Sequence, residues 1–304
     1  EAVSWITSRN NIIVTVFGLI SLIFYLKAYE KKAQYFLILS LLSFALALFS
    51  KEFAVMLLPV MIIYHKTIGE KANSVHGKEI FRWYTPYVLV LLIYFILRQN
   101  ATHSWLSPEG AENFFRSLYF APYLFLKNVQ LILFPSDLHS FVVKYPKTYV
   151  HPIALCGIAV ILFCLYFIWK HRKSSILVFS LISFVIALFP IMNIISTSSM
   201  SLVSMRWLYF PMIFLGPIGC IAIKKVYNIN RIFTGIGVFI ILVYFGGYSY
   251  SLNQNLWQNE EKFFQKEIHE FGNSYYAYGY ALKQLEEENI EKAERYFRIA
   301  INGY

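Results

Sequence analysis

The chain reads as all-α: a polytopic membrane helix bundle of about eight crossings plus one interfacial or re-entrant helix, followed by a soluble helical hairpin. Three observations predict this. Of 304 residues, 58% are hydrophobic and only 14% charged, with mean hydropathy +0.52, whereas a soluble domain carries about 25% charged residues. The apolar residues gather into runs near the ~20 needed to cross a bilayer as helix, separated by short stretches rich in Lys and Arg. From Ser251 onward the composition turns polar, without another spanning run.

The expected crossings are, in order, Ile12–Leu26, Gln34–Phe49, Phe53–Tyr64, Trp83–Leu97, Ile153–Trp169, Ile176–Ile195, Trp207–Ile223 and Ile232–Tyr250. Lys27, Lys31 and Lys32 follow the first, and Lys66, Lys71, Lys78 and Arg82 follow the third. Lys170-His171-Arg172-Lys173 follows the fifth and Lys224-Lys225 the seventh. The positive-inside rule puts those ends in the cytoplasm. Pro59, inside the short third run, is expected to kink it. Phe114–Phe134 is apolar but interrupted by Arg116, Lys127 and Asn128. A crossing there would turn every later basic loop outward, so it is expected to start and finish on the outer side. Arg98–Asn113 reads as a polar loop, and Cys156, Cys164 and Cys220 read as small buried hydrophobes without metal or disulfide spacing.

The same rule places Phe189–Pro211, FPIMNIISTSSMSLVSMRWLYFP, with its serine-rich turn, on the outer face. Its one cation, Arg206, stands beside Trp207 and Tyr209, which suits an anion as well as an arginine snorkelling to headgroups. Glu1, Arg9, Lys51, Glu52, Arg98 and Asp137 share that side. Cationic donors suit a phosphate, and a carboxylate suits glycosyl transfer as base. The basic excess, formally +10, lies mostly in loops where it meets anionic headgroups, which argues against nucleic acid. No hydrolase triad, P-loop or dinucleotide fingerprint is visible. No cofactor is evident, and a divalent metal has no support in ligand spacing.

The tail, 253–304, begins with a linker helix near Trp257–Phe271. A helical hairpin follows, Ser274–Glu287 with Asn273 as N-cap and then Ile290–Ile301, turning at Glu288 or Asn289. Ala281, Ala293, Phe297 and Ala300 stand where one tetratricopeptide repeat packs its helices, so the hairpin resembles the start of such repeats. Tyr280 replaces the usual leucine, and the turn glycine is absent.

Three segments carry a wider resemblance: EAVSWITSRN at the start, Ser50-Lys51-Glu52 before the run with Leu58-Pro59, and MRWLYFP at 205–211. They are similar to segments of the membrane proteins with tetratricopeptide tails related to protein O-mannosyltransferases. There the last two stand as roughly S-K-E-x-A-x-x-x-P and E-R-Y-L-Y-L-P; here Met205 replaces the acidic residue and Trp207 the tyrosine. The resemblance implies the integral-membrane glycosyltransferase fold, which uses polyprenyl-phosphate sugars on the outer face. It also implies about three further spans before Glu1, about eleven in all, with an acidic catalytic pair in a loop upstream of this sequence. The catalytic base is therefore unassigned, with Glu1 and Glu52 as weak candidates.

On that reading 1–252 is the transferase-like membrane domain and 253–304 the soluble helical tail. Arg206, Lys51, Arg98, Arg9 and Tyr209 would bind the lipid-linked donor, and the tail would present a protein acceptor. The expected location is a bacterial inner membrane with the tail in the periplasm. The rivals are a non-catalytic membrane-anchored scaffold for envelope proteins and a lipid or polysaccharide transporter. Transport would need polar residues along a path between helices, and the spans read as carrying few.

Overall fold

A computed structural model describes residues 9–69, 77–102, 110–133, 152–192, 202–254, 258–269 and 273–302. Among the described residues every regular element is a helix. In the membrane part these are α1 (Arg9–Lys31), α2 (Gln34–Ser50), α3 (Glu52–Gly69), α4 (Gly77–Thr102), α5 (Gly110–Leu133), α6 (Pro152–Lys170), α7 (Ser175–Met192), α8 (Tyr209–Ile229) and α9 (Arg231–Leu252). The tail adds α10 (Glu260–His269), α11 (Ser274–Glu286) and α12 (Ile290–Asn302). By length and composition α1, α3, α6, α7, α8 and α9 can cross a membrane, while α2 and Leu118–Leu133 of α5 are shorter apolar helices. Such a set is consistent with a multi-pass membrane protein.

α1 is built inside out. Ile13, Val16 and Ile23 point outward, whereas Asn11, Thr15, Gly18, Ser21, Tyr25 and Tyr29 are buried. Lipid tails are as apolar as Ile, so outward aliphatic residues lose nothing, and the small or polar residues carry the helix contacts. α2 returns antiparallel along α1. Ser21 Oγ donates to Ser40 O at 2.9 Å and Ser40 Oγ donates to Ser21 O at 2.7 Å. α4 joins through Tyr87 OH, 2.5 Å from Ser40 Oγ, with its ring edge-on to Phe44. Gly18 admits the Phe210 ring and Leu57, which would lie 3.3 and 3.4 Å from a Cβ placed there.

These contacts give the first compact unit, which ends within α8 at Ala222, two distinguishable ends. Tyr25 and Tyr29 of α1, His65 of α3, Tyr84 of α4 and Phe179 of α7 meet at one end, through Tyr25–His65, Tyr29–His65, His65–Tyr84 and Tyr64–Phe179 ring contacts. Asn11, Lys51, Arg98 and Trp207 meet at the other. The lysine-bearing α1–α2 and α6–α7 turns belong to the first end.

Several expectations change. α4 stays helical through Arg98 to Thr102, so Arg98 lies inside a helix rather than opening a loop. Pro59, expected to kink the third run, stands near a change of helix type. A 3-10 turn, Glu52–Met56, precedes the α-helical Leu57–Tyr64, and Pro59 falls in the first turn of the latter, where its missing N–H has no partner to lose. Cys156 and Cys220 are exposed on α6 and α8 rather than buried, and Cys164 is intermediate. The segment expected to lie on the outer face is one helix, α5, with Pro122 inside it.

The second unit carries the tail. α11 and α12 form a helical hairpin whose seam is Ala277, Tyr280, Ala281, Ala293, Tyr296 and Ala300. Tyr296, edge-on to Tyr280 at 4.7 Å, takes the buried place expected for Phe297. Phe297 is only half-buried and packs on Tyr278. Asn273 does not cap α11 with its side chain, which instead donates to the buried Glu267 at 3.5 Å. The α11–α12 turn closes through Asn289 N–H to Gln284 O, 2.8 Å, and Glu288 N–H to Leu285 O, 3.1 Å. Glu288 adopts φ 61° there, the left-handed conformation that glycine takes without steric cost.

Two substitutions of opposite sign follow from these backbones. A Cβ at Gly157 of α6 would lie 2.0 Å from Pro122 O of α5, so Gly157→Ala must push the helices apart, at about 1–3 kcal/mol. Thermal unfolding in detergent should show the loss. Glu288→Gly should slow hydrogen exchange at the Asn289 amide, a gain of about 0.5–1 kcal/mol once the unfolded-state cost of glycine is subtracted from the left-handed strain.

Candidate functional site

Lys51 sits where α2 ends and the 3-10 turn of α3 begins, with an extended backbone (φ −164°, ψ 140°) that carries its side chain back over α1. Its Nζ donates to Asn11 Oδ1 at 2.6 Å. It also lies 4.5 Å from the Phe53 ring centroid and 6.0 Å from that of Trp207. Phe53 and Trp207 meet edge to face at 6.4 Å and are both buried, so the ammonium rests on an aromatic floor. Asn11 is only 3% exposed. Its carbonyl accepts the Thr15 hydroxyl at 2.6 Å, which fixes the first turn of α1.

Arg206 follows Ser204 and Met205 into the short 3-10 turn Met205–Trp207. Trp207 anchors that turn against Phe53, and the Arg206 charge is felt at Lys51. On the other side of Lys51, Glu52 accepts from Arg98 Nη1 at 3.4 Å, and the same nitrogen donates to Tyr94 OH at 2.8 Å. With both side chains 41% exposed, the Glu52–Arg98 pair contributes at most about 1 kcal/mol. It does keep Glu52 turned toward Arg98, leaving Lys51 a neutral amide as its hydrogen-bond partner among the described residues.

The structure thus gathers four of the sequence-predicted residues, Lys51, Glu52, Arg98 and Arg206, at one end of the bundle. Arg9 begins α1 at that end, exposed, two residues before Asn11. Tyr209 is 43% exposed at the start of α8, while its neighbour Phe210 fills the core. Glu1, Asp137 and residues 193–201 of the serine-rich turn lie outside the described residues. Among the described residues no three of His, Cys, Asp and Glu are placed to hold a metal ion. Sequence reasoning missed Asn11, Phe53 and Tyr94, although the polar spacing of Asn11, Thr15, Ser21 and Tyr25 within an apolar run marks a helix face.

A second polar cluster occupies the opposite end. His65 Nδ1 lies 2.6 Å from Tyr25 OH and 2.7 Å from Tyr84 OH. Tyr25 OH donates to Tyr84 OH at 3.1 Å and Tyr84 OH to Met61 O at 3.2 Å. Each hydroxyl has one proton to give. Both contacts to Nδ1 are satisfied when the imidazole carries its proton on that nitrogen and shares it between the two tyrosine oxygens. The expectation of few polar residues between the spans therefore changes. Ser21, Ser40 and Tyr87 form one buried hydrogen-bonded set, and Tyr25, Tyr84 and His65 form another, with the Tyr25 and Tyr87 rings edge to face at 5.9 Å between them.

Comparison with protein-family models, with curated proteins and with solved structures gives no match.

The lysine at the junction makes a pH-dependent prediction. The Lys51 pKa is lowered from 10.5 to about 8, chiefly by burial, with the Glu52 charge raising it and the Arg206 charge lowering it within that net shift. Between pH 8 and 10.5 the unfolded chain binds the proton that the folded one has released, so stability rises with pH across that window and is flat below it. The thermal midpoint of the wild type should climb between pH 8 and pH 10 relative to that of Lys51→Met. The charge available to an anion at Lys51 falls over the same range.

Proposed function

We propose that this chain is the membrane part of a glycosyltransferase that moves a sugar from a polyprenyl-phosphate donor to a protein or glycan acceptor. The reaction is placed on the membrane face opposite the lysine-rich turns. The observation that carries the reading is Lys51, partnered by a neutral amide and held over Phe53 and Trp207, with Arg206 close enough to be felt. Two cations near one another repel, and an anion between them removes that cost. The buried aromatic floor holds the Lys51 ammonium in place, and the cations receive the phosphate that leaves when the sugar C1–O bond breaks. The acceptor hydroxyl forms the new bond to C1 and gives up its proton to a carboxylate. Glu52 stands at the site beside Arg98, in position to orient sugar or acceptor.

With α2 and α4 counted as spans, the bundle makes eight crossings, and α11–α12 reads as the start of tetratricopeptide repeats that present a protein acceptor. The location that fits is a bacterial inner membrane with the tail in the periplasm. One observation favours transport of a lipid-linked glycan instead: the hydrogen-bonded polar residues along the buried face of α1. Flux of a labelled donor across proteoliposomes, without transfer to any acceptor, would select that reading.

The test is donor affinity in the intact, correctly inserted protein. Lys51→Ala and Arg206→Ala should each weaken binding by about 1.5–3 kcal/mol, roughly ten- to a hundredfold, as loss of a charge-assisted contact does. Arg206→Lys should recover only part, because an ammonium lacks the planar fork of a guanidinium. Equal affinities across the series would leave these residues as interfacial anchors and favour the scaffold role.

A further inference from the structure

The end of the bundle away from Lys51 holds cations in a different way. Lys27 and Lys31 are one helical turn apart on α1, and their amines lie 5.8 and 5.6 Å from the centroid of the same ring, Phe36 of α2. Both are exposed, as is Glu30 between them, and among the described residues neither lysine forms an ion pair. Like charges at this spacing repel. Phe36 is backed by Phe24 at 6.0 Å and by the exposed Tyr35 at 4.1 Å, which makes an apolar floor beneath the two amines.

The next residue sharpens the point. Lys32 closes the α1–α2 turn at φ 51°, where glycine would sit unstrained and lysine does not. The turn thus bears a third cation at a conformational cost. The α6–α7 turn repeats the chemistry at the same end of the bundle: Lys170 lies 5.9 Å over Tyr166, and the Arg172 guanidinium 5.7 Å over Trp169. Trp169 and Tyr166 are exposed.

We propose that the α1–α2 and α6–α7 turns each bind the phosphodiester headgroups of anionic glycerophospholipids. The amines and the guanidinium take the phosphates, while Phe24, Tyr35, Phe36, Tyr166 and Trp169 lie against the glycerol and upper acyl carbons. A zwitterionic lipid carries its own ammonium and neutralises less of this charge. Free phosphate has no acyl chain to lay on the rings. The proposal does not rest on the transferase reading.

The experiment uses the full chain in nanodiscs of phosphatidylcholine mixed with phosphatidylglycerol, with retained lipids counted by native mass spectrometry. Phosphatidylglycerol should be retained in preference to phosphatidylcholine. Lys27→Gln with Lys31→Gln should lower that retention roughly fivefold per lysine, the effect of one interfacial charge. Lys32→Gly separates binding from folding: it relieves the backbone, so the thermal midpoint should hold or rise while retention still falls roughly fivefold. Equal retention of the two lipids, or unchanged retention in these variants, overturns the proposal. Displacement of the lipid by inorganic phosphate would assign the site to the free anion instead and overturn it equally.

Discussion

The bundle depends on the reciprocal pair of hydrogen bonds between Ser21 and Ser40. Each hydroxyl donates to the other residue's backbone carbonyl, so α1 and α2 are joined at the level of main chain, where an exchange of large side chains would force them apart. In an apolar bundle a lone hydroxyl or tyrosine costs free energy unless it finds a partner. Once Ser21 and Ser40 face each other, Tyr87 must approach Ser40, and Tyr25, one turn along α1 from Ser21, must find Tyr84 and His65. Four helices are thereby set in register by polar contacts, and the aromatic and aliphatic packing around Phe44, Leu57 and Met61 fills the space that remains.

That register decides what reaches the other end. The buried face of α1 that carries Ser21 and Tyr25 also carries Asn11, and the antiparallel return of α2 delivers Lys51 opposite it. Gly18 lies between these levels, where it lets Phe210 and Leu57 close on α1, and Phe210 follows soon after Trp207 on the chain. The site is therefore downstream of the polar ladder: loosening Ser21–Ser40 would shift Lys51 relative to Trp207 before it touched either residue.

Much of this was legible in the sequence, and the exceptions have physical causes. The apolar runs and lysine-rich turns marked each helix, some nearly to the residue, as in Ile153–Trp169 within Pro152–Lys170, because hydrophobic length and basic flanks are local properties; Trp83–Leu97 fell short of Gly77–Thr102 at both ends, where polar residues continue the helix. The gathering of Lys51, Glu52, Arg98 and Arg206 was also anticipated, since topology alone sends them to one end. Partners were not legible. That Lys51 would choose Asn11, and Arg98 would choose Glu52 and Tyr94, depends on the rotational setting of α1 and α4, which composition does not encode. Asn273 shows the same limit in the tail: an N-cap by sequence, it spends its side chain on Glu267, ahead of α11.

The two ends of the membrane unit finally differ in how they treat positive charge, and that difference has more meaning than the net excess. At the Lys51 end the cations are engaged by protein: Asn11 and two rings for Lys51, Glu52 and Tyr94 for Arg98. At the other end Lys27, Lys31, Lys170 and Arg172 are exposed and engaged, among the described residues, by rings alone. A cation oriented by a buried amide is pre-organised for one anion in one place, since its rotamers are already restricted before anything binds. A cation stacked on an exposed ring keeps its freedom and suits a surface that presents many equivalent anions. The same two residue types, lysine and arginine, are thus made selective at one end and permissive at the other by what the helices place beneath them.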